Sequence, residues 1–321
     1  MPQILQSEPP AQPSARRQRP TTEPRYRART THENKSRMKS LALAALAAAL
    51  LAPQCARAQA ADIPSAAPPA PAGQTTEQRG RALLDQMIAA LGGDLWLNRT
   101  TLETEGRASS FFHGEPNPYV SEWHDLVRFP GSGQHEAERV GFLTDRSPIF
   151  PGKKIDVVQI WKEGHGYEVT FKGQTELPKE QVDDYYRRRA HSIEEVVNTW
   201  IHAPGVMILS EGTDMVDRHI ADKITIITAS NDAVTLELDA TTHLPLRRTF
   251  QWRNPQFNDF DEEAETYDDY HTIQGLPTPL NITRYHNGDM TAQRYLTKVE
   301  YSVPATPDLF DPAASVPKLK K

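Results

Sequence analysis

The stretch Pro178-KEQVDDYYRRRAHSIEEVVNTWIH-Ala203 decides how the rest of this chain is read. Val182, Tyr185, Tyr186, Ile193, Val196, Val197, Trp200 and Ile201 recur at helical spacing, opposed by Asp183, Arg187, Arg188, Glu194 and Glu195. That pattern predicts one amphipathic helix over 178–203. Pro178 suits its first turn, and Pro204-Gly205 stops it. A helix with one apolar stripe needs a concave apolar surface to lie on. The sequence on both sides of it is strand-like.

Upstream, Thr101 begins a change of period from 3.6 to two. Strands are predicted at Leu102–Phe112, Tyr119–Phe129, Gln134–Phe142, Ile155–Lys162 and Tyr167–Lys172, with Glu163-Gly164-His165-Gly166 as a hairpin turn. In Tyr119–Phe129 one face carries Tyr119, Ser121, Trp123, Val127 and Phe129, and the other Glu122, His124 and Arg128. Before these strands, Thr75-x-x-Gln78 fits a capping box opening a helix with Leu83, Leu84, Met87, Ile88 and Leu91 on one face, ended by Gly92-Gly93.

Downstream, strands are predicted at Val206–Glu211, Lys223–Ala229, Ala233–Asp239, Pro245–Arg253, Glu263–Ile273, Pro279–His286 and Thr291–Val303. Ser230-Asn231-Asp232 and Asn287-Gly288 are turns, the latter a strong hairpin signal. Helix, five strands, helix and seven strands imply a mainly β fold: an antiparallel meander curled into an open half β-barrel, with the mid-chain amphipathic helix over its concave face. One such domain is expected over residues 75–312.

The N-terminal segment speaks to location. Leu41–Ala52 is an unbroken apolar run, preceded by Met38-Lys39 and followed by Pro53 and Ala56-Arg57-Ala58-Gln59-Ala60. This predicts a secretory signal peptide over 38–60, cleaved near Ala60, and a periplasmic or secreted product. The run is too short for a membrane span, which needs ~20 apolar residues. Residues 1–37 read as a disordered extension or an overlong start with Met38 as initiator, 61–74 as an Ala/Pro linker, and 313–321 as a basic tail. Arg16-Arg17 lies too far from the apolar run to make a twin-arginine signal.

Of 36 basic and 42 acidic residues, the first sixty positions hold 10 and 3, so residues 61–321 carry 26 and 39, a net charge of −13. Such a surface argues against nucleic acid or an anionic membrane as partner. The single cysteine, Cys55, falls inside the signal segment, without a lipobox in front of it. The remainder can form no disulfide, thiolate metal site or Cys nucleophile.

The opening helix end Ala89-Ala90-Leu91-Gly92-Gly93, the mid-chain helix between two strand sets, and the hairpin Leu238-DATTHLPL-Arg247 stand together with the run Tyr270-HTIQGLPT-Pro279 and the closing Leu309-Phe310-Asp311-Pro312. In these features the chain resembles the superfamily of periplasmic lipoprotein carriers, the outer-membrane lipoprotein-sorting or Lol-type proteins, over most of residues 75–312. The resemblance implies a half-barrel with an apolar cavity for acyl chains, lipid or acylated protein as ligand, outer-membrane or other envelope proteins as partners, and a role in outer-membrane biogenesis.

The chemical alternatives are weaker. Glu122 and His124 share a strand face and could form half of a metal or hydrolytic site, but scattered surface histidine is the better reading. His135-Glu136-Ala137-Glu138-Arg139 has Arg where a zinc helix needs its second His. His191 with Glu194 and Glu195 reads as a solvated salt link. Asp259, Asp261, Glu262, Glu263, Glu265, Asp268 and Asp269 read as the charged outer face of a hairpin, without the spacing of a calcium loop. Gly131-Ser132-Gly133 is a turn. Asn98-Arg99-Thr100 and Asn281-Ile282-Thr283 match glycosylation sequons only by their three letters.

The aromatic set is better placed for function. Trp123, Trp161, Val182, Tyr185, Tyr186, Ile193, Trp200, Phe250 and Trp252 are the candidate lining of a ligand cavity, with filled core as the competing reading. No catalytic residue, metal or cofactor is expected. The sequence thus favours a non-enzymatic binder of an acyl chain, lipid or lipidated protein, with a periplasmic hydrolase and a ligand-free envelope module as alternatives.

Overall fold

The computed structural model describes residues 73–131, 136–143 and 155–315. The expected signal segment, most of the linker, the Ser132-Gly133 turn and the last residues of the tail lie outside them. Among the described residues thirteen strands form one antiparallel sheet, in the order β6-β5-β4-β3-β2-β1-β13-β12-β11-β10-β9-β8-β7. These are β1 Thr101–Phe112, β2 Glu115–Arg128, β3 Ala137–Leu143, β4 Ile155–Lys162, β5 His165–Thr170, β6 Gly173–Glu176, β7 Met207–Val216, β8 His219–Ile227, β9 Ala233–Asp239, β10 Pro245–Arg253, β11 Phe260–Ile273, β12 Leu276–His286 and β13 Asp289–Tyr301. Consecutive strands pair as a meander, and β1 joins β13 in the middle of the sheet. The edges, β6 and β7, flank in sequence the segment that covers the concave face.

The fold is the mainly β, open, helix-covered sheet expected from the sequence. Its elements differ from that expectation in instructive ways. β6 adds a sixth strand upstream, four mostly exposed residues too short to show a period. β12 starts at Leu276 despite Pro277 and Pro279. Its ladder to β13 begins only at Asn281, so this stretch has a side that needs no N–H donors. The turns follow their chemistry. Asn287 and Gly288 both have positive φ (49° and 85°), as do Glu163 and Gly164 (52° and 82°), the pairing that matches strand twist in a two-residue hairpin.

The first helix, α1 Thr76–Leu91, is capped as read: Thr75 Oγ1 accepts from Gln78 N, and Gln78 Oε1 accepts from Thr75 N. It lies so close to β7 that a Cβ on Gly80 would sit 2.5 Å from the carbonyl oxygen of Ile208, so only glycine fits there. A short turn of helix, α2 Asp94–Leu97, follows it.

The mid-chain helix is not continuous. α3 spans Lys179–Ala190, α4 spans Ile193–Asn198, and a 3-10 turn covers Trp200–His202. Ser192 starts the second piece by accepting a hydrogen bond from Glu195 N (3.1 Å), an N-cap that the unbroken apolar stripe had concealed. His191 is buried rather than solvated. Its Nδ1 donates to Arg187 O (2.6 Å), its Nε2 lies 2.9 Å from Asp232 Oδ1, and its ring stacks on Phe250.

Most of the apolar core belongs to one half of the sheet. Leu84, Met87 and Leu91 of α1 and Val196, Val197 and Trp200 of the α4 segment pack on Ile224, Ile226, Leu236, Leu238 and Phe250. The other half is covered more thinly. There Trp161, Leu177 and Tyr185 form a small separate cluster under α3.

Candidate functional site

Where the filled half meets the thinly covered half, the concave face encloses a cavity of about 470 Å³, roofed by Arg188, Arg189, Ser192, Ile193 and Glu194 at the helix break. The strand register orders its floor into rows of facing residues. Arg248, Glu265, Arg284 and Ala292 lie opposite one another across β10–β13. The next row is Tyr267, Ile282, Arg294, Ala108 and Ser121. The middle row is apolar: Leu296, Gly106, Trp123 and Phe142. Beyond it lie Val299, Thr104, Asp125, Val140 and Gln159, then Tyr301, Leu102, Val127, Glu138 and Trp161.

The cavity is therefore amphipathic rather than simply apolar, with different charge chemistry at its two ends. At one end Glu265 accepts from Arg284 Nη2 (3.0 Å) and from Tyr267 Oη (3.1 Å), with Arg248 Nη2 at 3.2 Å and Arg294 Nη2 at 3.5 Å. Burial pushes the Glu265 carboxyl up, but the three guanidinium groups outweigh it and hold it well below the ordinary range. Arg188 from α3 lies 3.8 Å from Glu263, whose carboxyl burial raises despite Arg284 and Arg188. This corrects the reading of the acidic run as a solvated outer face: Glu263 and Glu265 point inward.

At the other end the buried Asp125 and the half-buried Glu138 place carboxyl groups on adjacent strands. Burial, reinforced by Glu138, pushes Asp125 well above its usual range. Burial also raises Glu138, against the 2.6 Å hydrogen bond donated by Tyr185 Oη. Asp125 Oδ1 has no hydrogen-bond partner among the described residues.

The covering segment is tied down by polar contacts around its break. Arg248 Nη1 donates to His191 O (2.9 Å) and Arg188 O (3.3 Å), Arg99 Nη2 to Glu194 Oε1 (3.0 Å), and Arg189 pairs with Glu136. Arg188 and Glu194, read as solvent-facing, are turned to the cavity.

Of the residues expected to line a cavity, Trp123, Trp161, Tyr185 and Ile193 border this one. Tyr185 lies flat on Trp161, with ring centroids 4.1 Å apart. Val182 and Tyr186 pack beside that pair, and Trp200, Phe250 and Trp252 belong to the large core. Asp125, Glu138, Arg248, Glu265, Arg284 and Arg294 are outside the expected lining, and Glu138 and Glu265 enter the sequence reading only through the His135-Glu136-Ala137-Glu138-Arg139 run and the acidic run. Their signal was parity: each is two residues from a floor residue on its own strand, as Asp125 is from Trp123, except Arg248, which is placed by its register with Glu265. Glu122 and His124 share the opposite, convex face, where His124 Nε2 meets Glu103 Oε1 at 2.6 Å and Glu122 pairs with Arg107. Among the described residues no cluster of three or more His, Cys, Asp or Glu side chains is placed to hold a metal, and no helix is long and apolar enough to cross a membrane.

No protein-family model and no curated protein matches the sequence. Solved structures do resemble it. A DUF1329 family protein from Desulfovibrio piger is 12% identical, with a TM-score of 0.49 over 74% of this chain and 98% of that one. A putative outer membrane lipoprotein-sorting protein domain from Vibrio parahaemolyticus is 8% identical, with a TM-score of 0.46 over 73% and 97%. The LolA superfamily protein NE2245 from Nitrosomonas europaea is 10% identical, with a TM-score of 0.40 over 71% and 95%. Two of these three carry lipoprotein sorting or the LolA superfamily in their names.

Proposed function

We propose that this chain is an exported, non-enzymatic binding protein of the periplasm that holds an acyl chain, a lipid or a lipidated protein in the cavity between the sheet and the broken helix. The observation that carries the reading is the cavity itself: about 470 Å³ of space with Trp123, Phe142 and Leu296 across its middle, under a roof of short elements. Removing an acyl chain from water there yields ~0.8 kcal/mol per buried methylene.

Admission of the ligand is by displacement of α3, with the break at His191-Ser192 as hinge. Only Tyr185 of α3 is buried, whereas Ile193, Val196 and Val197 anchor α4. A hydrolase built on Glu122 and His124 fits less well, because those side chains face away from the cavity.

Native mass spectrometry of the protein purified from a bacterial periplasm, before and after mild organic extraction, tests the reading. An extractable mass of lipid size is the expected result. A clean unliganded mass, together with failure to bind fluorescent fatty-acid probes, refutes it in favour of an envelope module. The hinge is tested separately by introducing cysteines at Arg189 and Glu136 and joining them with a short bis-maleimide. Uptake by the unlinked double variant and none by the linked form is expected; equal uptake by both removes α3 as the gate.

A further inference from the structure

The two ends of the cavity do not offer the same thing to a ligand. Near the helix break, Arg188, Arg248, Arg284 and Arg294 face two carboxylates, Glu263 and Glu265, which leaves two positive charges in excess. Arg248 is 2% exposed, yet its Nε has no hydrogen-bond partner among the described residues. The two outer members are loosely held: Arg294 touches Glu265 at 3.5 Å and Arg188 touches Glu263 at 3.8 Å, with side chains 35% and 29% exposed. Arg188 is crowded by positive charge, its guanidinium pushed below its ordinary range by burial and then by Arg284.

A half-buried cluster with excess guanidinium groups is stabilised by an anion that accepts from several of them at once. The apolar row of Leu296, Trp123 and Phe142 adjoins it, in the direction that leads away from these arginines.

We infer that the cavity selects an amphiphile with an anionic head, a carboxylate or a phosphate ester, seated among Arg188, Arg248, Arg284 and Arg294, with its hydrocarbon tail lying along Trp123 and Phe142. The inference rests on the binding role proposed above and adds to it the charge and orientation of the ligand. The far end of the cavity does not compete as an anion site, because the acidic pair that lines it, Asp125 and Glu138, brings no positive charge to meet one. Nor does it draw a cationic head strongly, since burial keeps both carboxyl groups disposed to hold their protons.

The test is calorimetric titration at pH 7 of protein purified from the periplasm of a host expressing the full chain. Four probes share one tail length: dodecanoate, dodecyl phosphate, dodecanol and dodecylammonium. The anionic probes are expected to bind at least about tenfold more tightly than dodecanol, the worth of one charge-assisted hydrogen bond, with dodecylammonium weakest. Arg294→Gln, and independently Arg188→Gln, is expected to shrink the gap between dodecanoate and dodecanol by about tenfold. A preference for dodecanoate assigns a free fatty acid as the source of the head group, and a preference for dodecyl phosphate assigns a phospholipid-like one. Equal binding of acid and alcohol, or a gap that survives in both variants, overturns the inference while leaving a lipid-binding cavity in place. Binding of none of the four probes by folded protein overturns both readings.

Discussion

Arg248 of β10 donates from Nη1 to the carbonyl oxygen of His191 at 2.9 Å, so a buried sheet residue closes the C-terminal end of α3. The same guanidinium reaches Glu265 through Nη2 (3.2 Å). One side chain thus binds the roof of the cavity to its floor. Carbonyl oxygens at a helix end lack partners of their own, and here an arginine supplies one from outside the helix.

Arg248→Met is expected to cost about 3–5 kcal/mol, because it takes from Glu265 one of its three guanidinium partners and leaves the buried His191 carbonyl oxygen without its donor. Arg248→Lys retains the charge but not the fork that serves roof and floor together, and falls between the two. Urea unfolding of the three proteins gives the order; a Lys variant as stable as wild type would mean that charge alone matters.

Asp125 is one of the carboxyls that make stability depend on pH, alongside Glu138, Glu237 and Glu263. Its carboxyl is raised in the folded state, by burial and then by Glu138, so between its ordinary value of 3.8 and its folded value the native protein holds more protons than the unfolded chain. Stability from this group is complete below that window and is lost as pH rises through it. Glu265 acts in the opposite sense: its carboxyl is lowered, so its contribution is present above 4.5 and is lost as pH falls. Asp125→Asn is therefore expected to flatten the decline in unfolding free energy from pH 5 upward and to leave the acid limb intact. An unchanged decline would show that Asp125 ionises without cost.

Gly106 lies beneath the cavity's indole. A Cβ there would sit 2.2 Å from Tyr295 O and 2.6 Å from Trp123 Cη2. Gly106→Ala is expected to cost about 1–3 kcal/mol through overpacking. It should also shift the Trp123 emission, which Trp123→Phe in the same background would identify.

Tyr185→Phe removes the donor to Glu138. Loss of one hydrogen bond to a buried carboxyl is expected to cost about 1–3 kcal/mol. The Glu138 carboxyl should then titrate at still higher pH, since Tyr185 now lowers it. A carboxyl carbon NMR titration reads that shift directly; movement to lower pH would contradict the assignment.

The backbone was legible because its signals are local. Asn287-Gly288, Thr75 with Gln78, and the alternation in Ala233–Asp239 and Pro245–Arg253 are each decided within a few residues, and both of those strands have the expected bounds. The cavity was legible only by half. Aromatic side chains announce burial wherever they occur, so Trp123 could not be told from Phe250 without knowing which half of the sheet α1 and α4 fill. Charged residues announce solvent. Glu265 is buried only because Arg248, Arg284 and Arg294 arrive from three other positions in the chain, and no window of sequence holds that meeting.

The seam between β1 and β13 sets an order of events. Every other ladder joins strands that are neighbours in the chain and can zip as hairpins within ~1–10 μs of collapse. Leu102 must instead find Tyr301, across nearly the whole described length. Such a pairing bears the largest loop-closure cost and comes late. The cavity floor runs straight across this seam, with Ala108 facing Arg294 and Gly106 facing Leu296. Neither wing of the sheet owns a complete pocket, so the cavity exists only in a chain that has finished folding.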